Sequence, residues 1–283
     1  MSANKQAVGH AYRIMGIVNV TPDSFYDGGA FLDPAIAVGH ALELVGQGAD
    51  IVDIGGESTR PGAVPVGPDE ELARVIPVLE GLAAAGCPAQ ISVDTSKSEV
   101  ASAALAAGAR LVNDVTALGG DPAMAAVIAE GDADCCLVHV PRVPRGTPGA
   151  ASGDVVAEVG SFLAERLEVA LRAGIGRERV LLDPGIGFGK TVQDNLALLA
   201  RLDELRGLGC PILIGTSRKR FLGRVAAEAA GLTEPLDAER RLPGTIATNV
   251  LALERGASVF RVHDVAPVRD ALALAAATLA AHG

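Results

Sequence analysis

Tryptophan is absent from this 283-residue chain, and only 2 tyrosines and 6 phenylalanines stand in for it. The core must therefore be built from Ala, Val, Leu and Ile. With 49% hydrophobic residues there is enough of them to ring a filled barrel with helices. Cysteine is scarce too. Cys87, Cys135, Cys136 and Cys210 show neither paired metal-ligand spacing nor the density of a secreted disulfide framework, so they read as buried thiols. No apolar run is long enough to span a membrane, and Met1 to Arg13 lacks the layout of a signal peptide, which together read as cytoplasmic. Positive charge is in deficit, 24 Lys and Arg against 34 Asp and Glu, for a net charge of −10. That balance argues against a nucleic-acid partner, which needs a basic face, but leaves room for a small anion held by a few inward cations.

What the chain does have is eight short apolar runs, nearly all ending in a polar or ionisable residue. Ile14–Val18 runs into Asn19, Ile51–Ile54 carries Asp53 towards Glu57, and Ile91–Val93 runs into Asp94. Leu111–Val112 stops at Asn113, Cys136–Val138 at His139, and Val180–Leu182 at Asp183. Ile212–Ile214 leads to Gly215 and Ser217, and Val259–Val262 embeds Arg261 and delivers His263. Helical stretches lie between them, at Pro34–Gln47, Asp69–Ala84, Ser98–Ala107, Pro122–Glu130 and Asp154–Ala173. Further stretches follow near Arg218–Ala230, Ala238–Arg255 and Val265–Ala281. Strands alternating with helices imply parallel strands and right-handed crossovers. Eight such units predict an α/β fold, a (β/α)₈ TIM barrel over residues 13–283, behind a loose leader at 1–12. Its active site would lie at the C-terminal strand ends. No linker divides the chain. Three βα connections, Thr21–Leu32, Glu57–Pro68 and Pro141–Gly153, are long and rich in Gly, Pro and polar residues, as functional loops are.

Residues two apart on a strand share a face, so Arg261 and His263 both reach the barrel mouth. Together they suit a multiply charged phosphate; the competing reading is a strand-end ion pair with Asp264. Asn19 offers an amide oxygen to a hard cation such as Mg²⁺. Asp94, Asn113 and Asp183 end strands where carboxylates serve to bind metal, to act as acid/base groups or to recognise a donor-rich ring. The absence of a His cluster weakens a transition metal, a 2-aminopyrimidinone edge matches the set, and Lys219 is placed to donate to a ring carbonyl. Buried carboxylates held by neighbouring backbone N–H groups are the structural alternative. The stretch Asp183–Thr191 is neither a P-loop, because Pro184 stands where glycine is required, nor a dinucleotide fingerprint, because its third glycine arrives one residue early. It reads as a tight Gly-rich turn that presents Phe188 to a flat ligand.

Seven segments, in order, resemble the dihydropteroate synthase family. They are Met15–Phe25, Asp53–Gly62, Ser92–Thr95, Asn113–Val115, Asp183–Lys190, Ser217–Lys219 and Arg261–Val265. The resemblance implies condensation of dihydropterin pyrophosphate with p-aminobenzoate, with Mg²⁺ as cofactor and a homodimer as the assembly. It places Asp94, Asn113, Asp183, Lys219 and Val138 around the pterin, Asn19 on the metal, and Arg261 with His263 on the pyrophosphate. It puts Thr59, Arg60, Pro61, Phe25, Phe188, Gly215 and Ser217 around the pyrophosphate and aminobenzoate. Arg261, His263, Lys219 and Asp23 are implied as catalytic.

One stretch departs from the family pattern. After the fifth strand the usual Met-His-Met-x-Gly-x-Pro is replaced by Val138-His139-Val140-Pro141-Arg142-Val143-Pro144-Arg145-Gly146-Thr147-Pro148. Two other readings compete: a pterin-dependent methyltransferase, which shares the ring pocket but needs no Arg261/His263 pair, and an inactive pterin-binding paralogue.

Overall fold

The computed structural model describes residues 12–21, 33–58, 63–150 and 153–281. Eight parallel strands close into a barrel in sequence order: β1 (Arg13–Asn19), β2 (Ile51–Gly55), β3 (Gln90–Asp94), β4 (Leu111–Asp114), β5 (Asp134–Val138), β6 (Val180–Asp183), β7 (Ile212–Ile214) and β8 (Ala257–Val262). β8 returns to pair with β1, Met15 lying opposite Arg261. Helices α1 (Pro34–Gly46), α2 (Pro68–Ala84), α3 (Ser98–Ala106), α4 (Met124–Glu130), α5 (Val155–Arg172), α6 (Val192–Ala200), α7 (Arg220–Ala229), α8 (Leu242–Glu254) and α9 (Val265–Ala280) form the outer ring. This is the TIM barrel that the strand–helix alternation predicts.

The strand period of two separates two apolar packings. Outward residues such as Val52, Ile54, Val93 and Val112 join the helices in one cluster, while Met15, Ile51, Leu111, Cys136, Val138, Leu181, Leu213 and Val259 fill the barrel. One inward step nearer the C-terminal end, the chemistry changes. Ile51 gives way to Asp53, Leu111 to Asn113, Leu181 to Asp183 and Val259 to Arg261. The apolar plug is therefore the base on which a polar floor stands.

Helix ends differ from the sequence expectation where side chains cap turns. α4 starts at Met124 rather than Pro122, because Asp121 accepts from Ser98 N at 2.8 Å and Ala123 N at 2.9 Å and holds a turn ahead of it. The stretch expected from Ala238 begins as a 3₁₀ turn, Ala238–Arg241, before α8. α6 was not anticipated. Its signature is a reciprocal cap, with Thr191 Oγ1 accepting from Asp194 N and the Asp194 carboxylate accepting from Thr191 N. The four cysteines are free thiols, Cys87 half-buried and the others buried, as expected from the sequence.

Candidate active site

Arg261 rises from the inward face of β8 into the middle of the floor. Its Nε donates to Asp53 Oδ2 at 2.7 Å and its Nη2 to Asp94 Oδ2 at 2.7 Å. Asp53 also accepts from Ser92 Oγ at 2.6 Å and from Asn113 Nδ2 at 3.1 Å. Two adjacent strands thus hold one guanidinium, and a third, β4, joins the network through Asp53. Asp264 takes no part, being paired instead with Arg218, whose Nε lies 2.7 Å from it. The strand-end ion pair between Arg261 and Asp264 is thereby overturned: Arg261 points in, not along the rim. Burial pushes the Asp94 carboxyl up to about 7 against the pull of Arg261, with Asp53 adding to the rise. Arg261 itself stays charged, because Asp53 and Asp94 outweigh the cost of burying it.

The Gly-rich turn after β6 forms the opposite side. Asp183 Oδ1 accepts from Gly185 N at 2.7 Å, so one oxygen is fixed by its own turn, in part the backbone-held carboxylate of the structural alternative. Burial raises its pKa, opposed by Lys219. Lys219 lies across the turn: its Nζ donates to Ile186 O and sits 4.2 Å from the centre of the Phe188 ring. A Cβ on Gly187, whose φ is +82°, would meet the Lys219 stem at 2.5 Å, so only glycine leaves room for it there. Burial holds Lys219 down to about 8, although Asp183 favours its charge. Val138 is paired with Asp183 and belongs to the barrel plug, against which Phe188 packs.

Ser217 and His263 meet above β7 and β8. Ser217 Oγ lies 2.9 Å from His263 Nδ1 and accepts from His263 N at 3.1 Å. Gly215 stands next to Arg261, where a Cβ would come to 3.9 Å of the Arg261 Cβ. Asn19 ends β1 half-buried, and its amide makes no side-chain hydrogen bond among the described residues. Between β2, β3 and the Gly-rich turn a cavity of about 290 Å³ opens, lined among others by Glu57, Asp94, Thr95, Val115, Val140 and Phe188. Asp23, Phe25, Thr59, Arg60 and Pro61 lie outside the described residues.

Two participants escaped the sequence reading. Asp53 is fully buried at the hub of the floor. Its inward register, two past Ile51 and two before Gly55, was the available signal. Lys190 is the other: its Nζ donates to Gly185 O at 2.8 Å and His139 O at 3.1 Å, which ties the turn to the end of β5. Lys97 bridges Glu57 and buried Glu71 at 2.5 Å each, while Glu57 Oε1 accepts from Val66 N at 3.1 Å and closes the base of the second loop.

Barrel, polar floor and inward cations around a cavity at the C-terminal strand ends define the class as a (β/α)₈ barrel with an enzyme-like mouth. Residues 15–263 match the family described as pterin binding enzyme. The dihydropteroate synthase of Mycobacterium leprae is 47% identical over 94% of this chain and 93% of that protein. The solved Xanthomonas albilineans dihydropteroate synthase with 4-aminobenzoic acid superposes with a TM-score of 0.85 at 48% identity, covering 95% of this chain and 93% of that one. The Yersinia pestis dihydropteroate synthase in complex with a sulfonamide drug gives 0.87 at 39% identity, covering 95% and 94%. The chain belongs to the dihydropteroate synthase family of pterin-binding enzymes.

Proposed function

We propose that this chain condenses 6-hydroxymethyl-7,8-dihydropterin pyrophosphate with p-aminobenzoate to give 7,8-dihydropteroate and pyrophosphate, a transferase step of folate biosynthesis. The observation that carries the reading is the floor itself, with Arg261 held between Asp53 and Asp94 and Asn113 on the same carboxylate. Such a set offers acceptors to ring N–H groups while leaving a cation at the ring's edge. In the reaction the bond from the methylene carbon to the pyrophosphate oxygen breaks, its electron pair leaving with oxygen. The arylamine nitrogen bonds to that carbon and gives up a proton. No protein nucleophile takes part.

Asp94, Asn113 and Asp183 hold the ring, and Lys219 exchanges Ile186 O for the ring carbonyl. Arg261 spends two donors on carboxylates and keeps the rest, with His263, for the charge that grows on the leaving group. Asn19 supports a Mg²⁺ site, because that ion takes few protein oxygens and fills its octahedron with water and substrate phosphates. When bound, Mg²⁺ would neutralise leaving-group charge. Phe188 would wall the arylamine subsite with Phe25 and Pro61, and Arg60 would join Arg261 and His263 at the pyrophosphate. Thr59 would lie beside these two subsites, and Asp23 would serve as a catalytic residue.

A cytoplasmic homodimer is the proposed working form. Supporting it, no helix among the described residues is long and apolar enough to cross a membrane, and α8 and α9 expose Leu251 and Leu274. A pyrophosphate-release assay tests the activity: release should require both substrates, and release without the arylamine, or none with both, overturns it.

A further inference from the structure

We propose that Arg145 is a positioning residue that sets the spacing of the apolar walls around p-aminobenzoate, an inference that rests on the synthase reading above. Arg145 lies on the long connection after β5, within the stretch that departs from the family pattern. Though on a loop, its side chain is only 7% exposed. Its backbone N donates to Gly189 O at 2.7 Å, joining the loop to the Gly-rich turn. Its guanidinium ion-pairs with Glu158 of α5, lies 3.1 Å from Asp194 of α6, and donates to Gly153 O at 2.9 Å. One side chain therefore fastens the loop to two helices, next to the turn.

The joint is tight. A Cβ on Gly189, where φ is +53°, would lie 2.9 Å from Pro141 Cγ, and Lys190 bonds both His139 O and Gly185 O across the same seam. Loop and turn are thus one body, and each carries one wall of the cavity beside Asp94: Val140 from the loop and Phe188 from the turn. Lys219 and the barrel plug hold the Phe188 ring from one side, while the Arg145 joint fixes its chain neighbour, Gly189, to the loop. A flat ring between two apolar walls tolerates little misplacement. The floor bonds among Asp53, Asp94, Asn113 and Arg261, by contrast, involve no residue of this joint, and Asp183 is anchored at Gly185, the opposite end of the turn from Gly189.

Arg145→Met keeps the stem and removes the fork. Calorimetry in the presence of pterin and pyrophosphate should show p-aminobenzoate binding about tenfold weaker, with pterin affinity held within about twofold. Arg145→Lys should recover part of the loss. Glu158→Gln, which keeps its shape and drops one ion pair, should show the same split at smaller size and serves if Arg145→Met does not fold. A role in stability alone would lower the melting temperature without separating the two ligands, and equal losses for both, or none, overturn the proposal. Failure of the parent protein to bind p-aminobenzoate would instead remove the synthase reading, and this inference with it.

Discussion

Arg261 does two things at one position. It pairs with both Asp53 and Asp94, and in the proposed reaction it meets the charge that develops on the leaving group. Arg261→Ala should therefore lose turnover by about 2–4 kcal/mol of transition-state stabilisation. Steady-state kinetics check it, and near-native turnover would show that the anion is held elsewhere. Asp183 is a sharper probe of ring recognition. One oxygen is committed to Gly185 N, so in Asp183→Asn the carboxamide oxygen takes that bond and the amide donor is forced towards the ring. A donor set against ring N–H donors should cost roughly 1–3 kcal/mol of pterin affinity. Calorimetric titration of the folded variant reads this directly, and unchanged affinity would move the pocket.

At the scale of elements, the Gly-rich turn between β6 and α6 organises one whole side of the mouth. Gly185 has φ +67°, and a Cβ there would run into the His139 carbonyl oxygen. Gly185→Ala should destabilise the protein by about 1–3 kcal/mol and misplace Asp183, Phe188 and Lys219 together, whereas Gly160→Ala in α5 meets nothing closer than 3.6 Å and should be neutral or better. Chemical denaturation of the two variants tests the contrast, and equal stabilities would refute it. The same turn shows why some features were legible and others not. The strands could be read because hydrophobic burial writes its period of two into local sequence, and strand ends such as Asp94, Asn113 and Asp183 fall at the mouth by topology alone. Asp53 was harder: it is flanked by Val52 and Ile54, and its partners Ser92, Asn113 and Arg261 come from three other strands. Lys190 and Arg145 were illegible for a related reason. Their function lies in backbone carbonyls and helix ends brought together by the fold, which no local spacing records. α6 opens directly out of the Gly-rich turn, whose glycines obscure its start, and rests on a cap made with Asp194.

The molecule as a whole carries its site as a stability cost, because a mouth that binds charged substrates must hold buried charges before they arrive. Lys219 and Lys190 are held down by burial to about 8 and about 7. Between those values and their ordinary 10.5, the unfolded chain binds more protons than the folded one, so from these two groups stability rises with pH and the full cost is present below about 7. Asp94 acts with the opposite sign. Burial raises it from 3.8 to about 7, so between those values the folded protein binds the extra proton and stability falls as pH rises. The contributions of these three groups alone are least favourable near pH 7, while His139, held down to about 3 by burial, opposes the fall on the acid side. Asp94→Asn separates this effect from the rest of the chain's titration, because the amide keeps the shape, leaves Asp53 paired with Arg261 and does not titrate. The variant should match the parent in melting temperature near pH 4, gain on it steadily as pH rises, and hold a constant lead above about 7. Melting curves of the two ligand-free proteins across that range check it. A difference that does not vary with pH would mean that Asp94 is not the strained carboxylate of the floor.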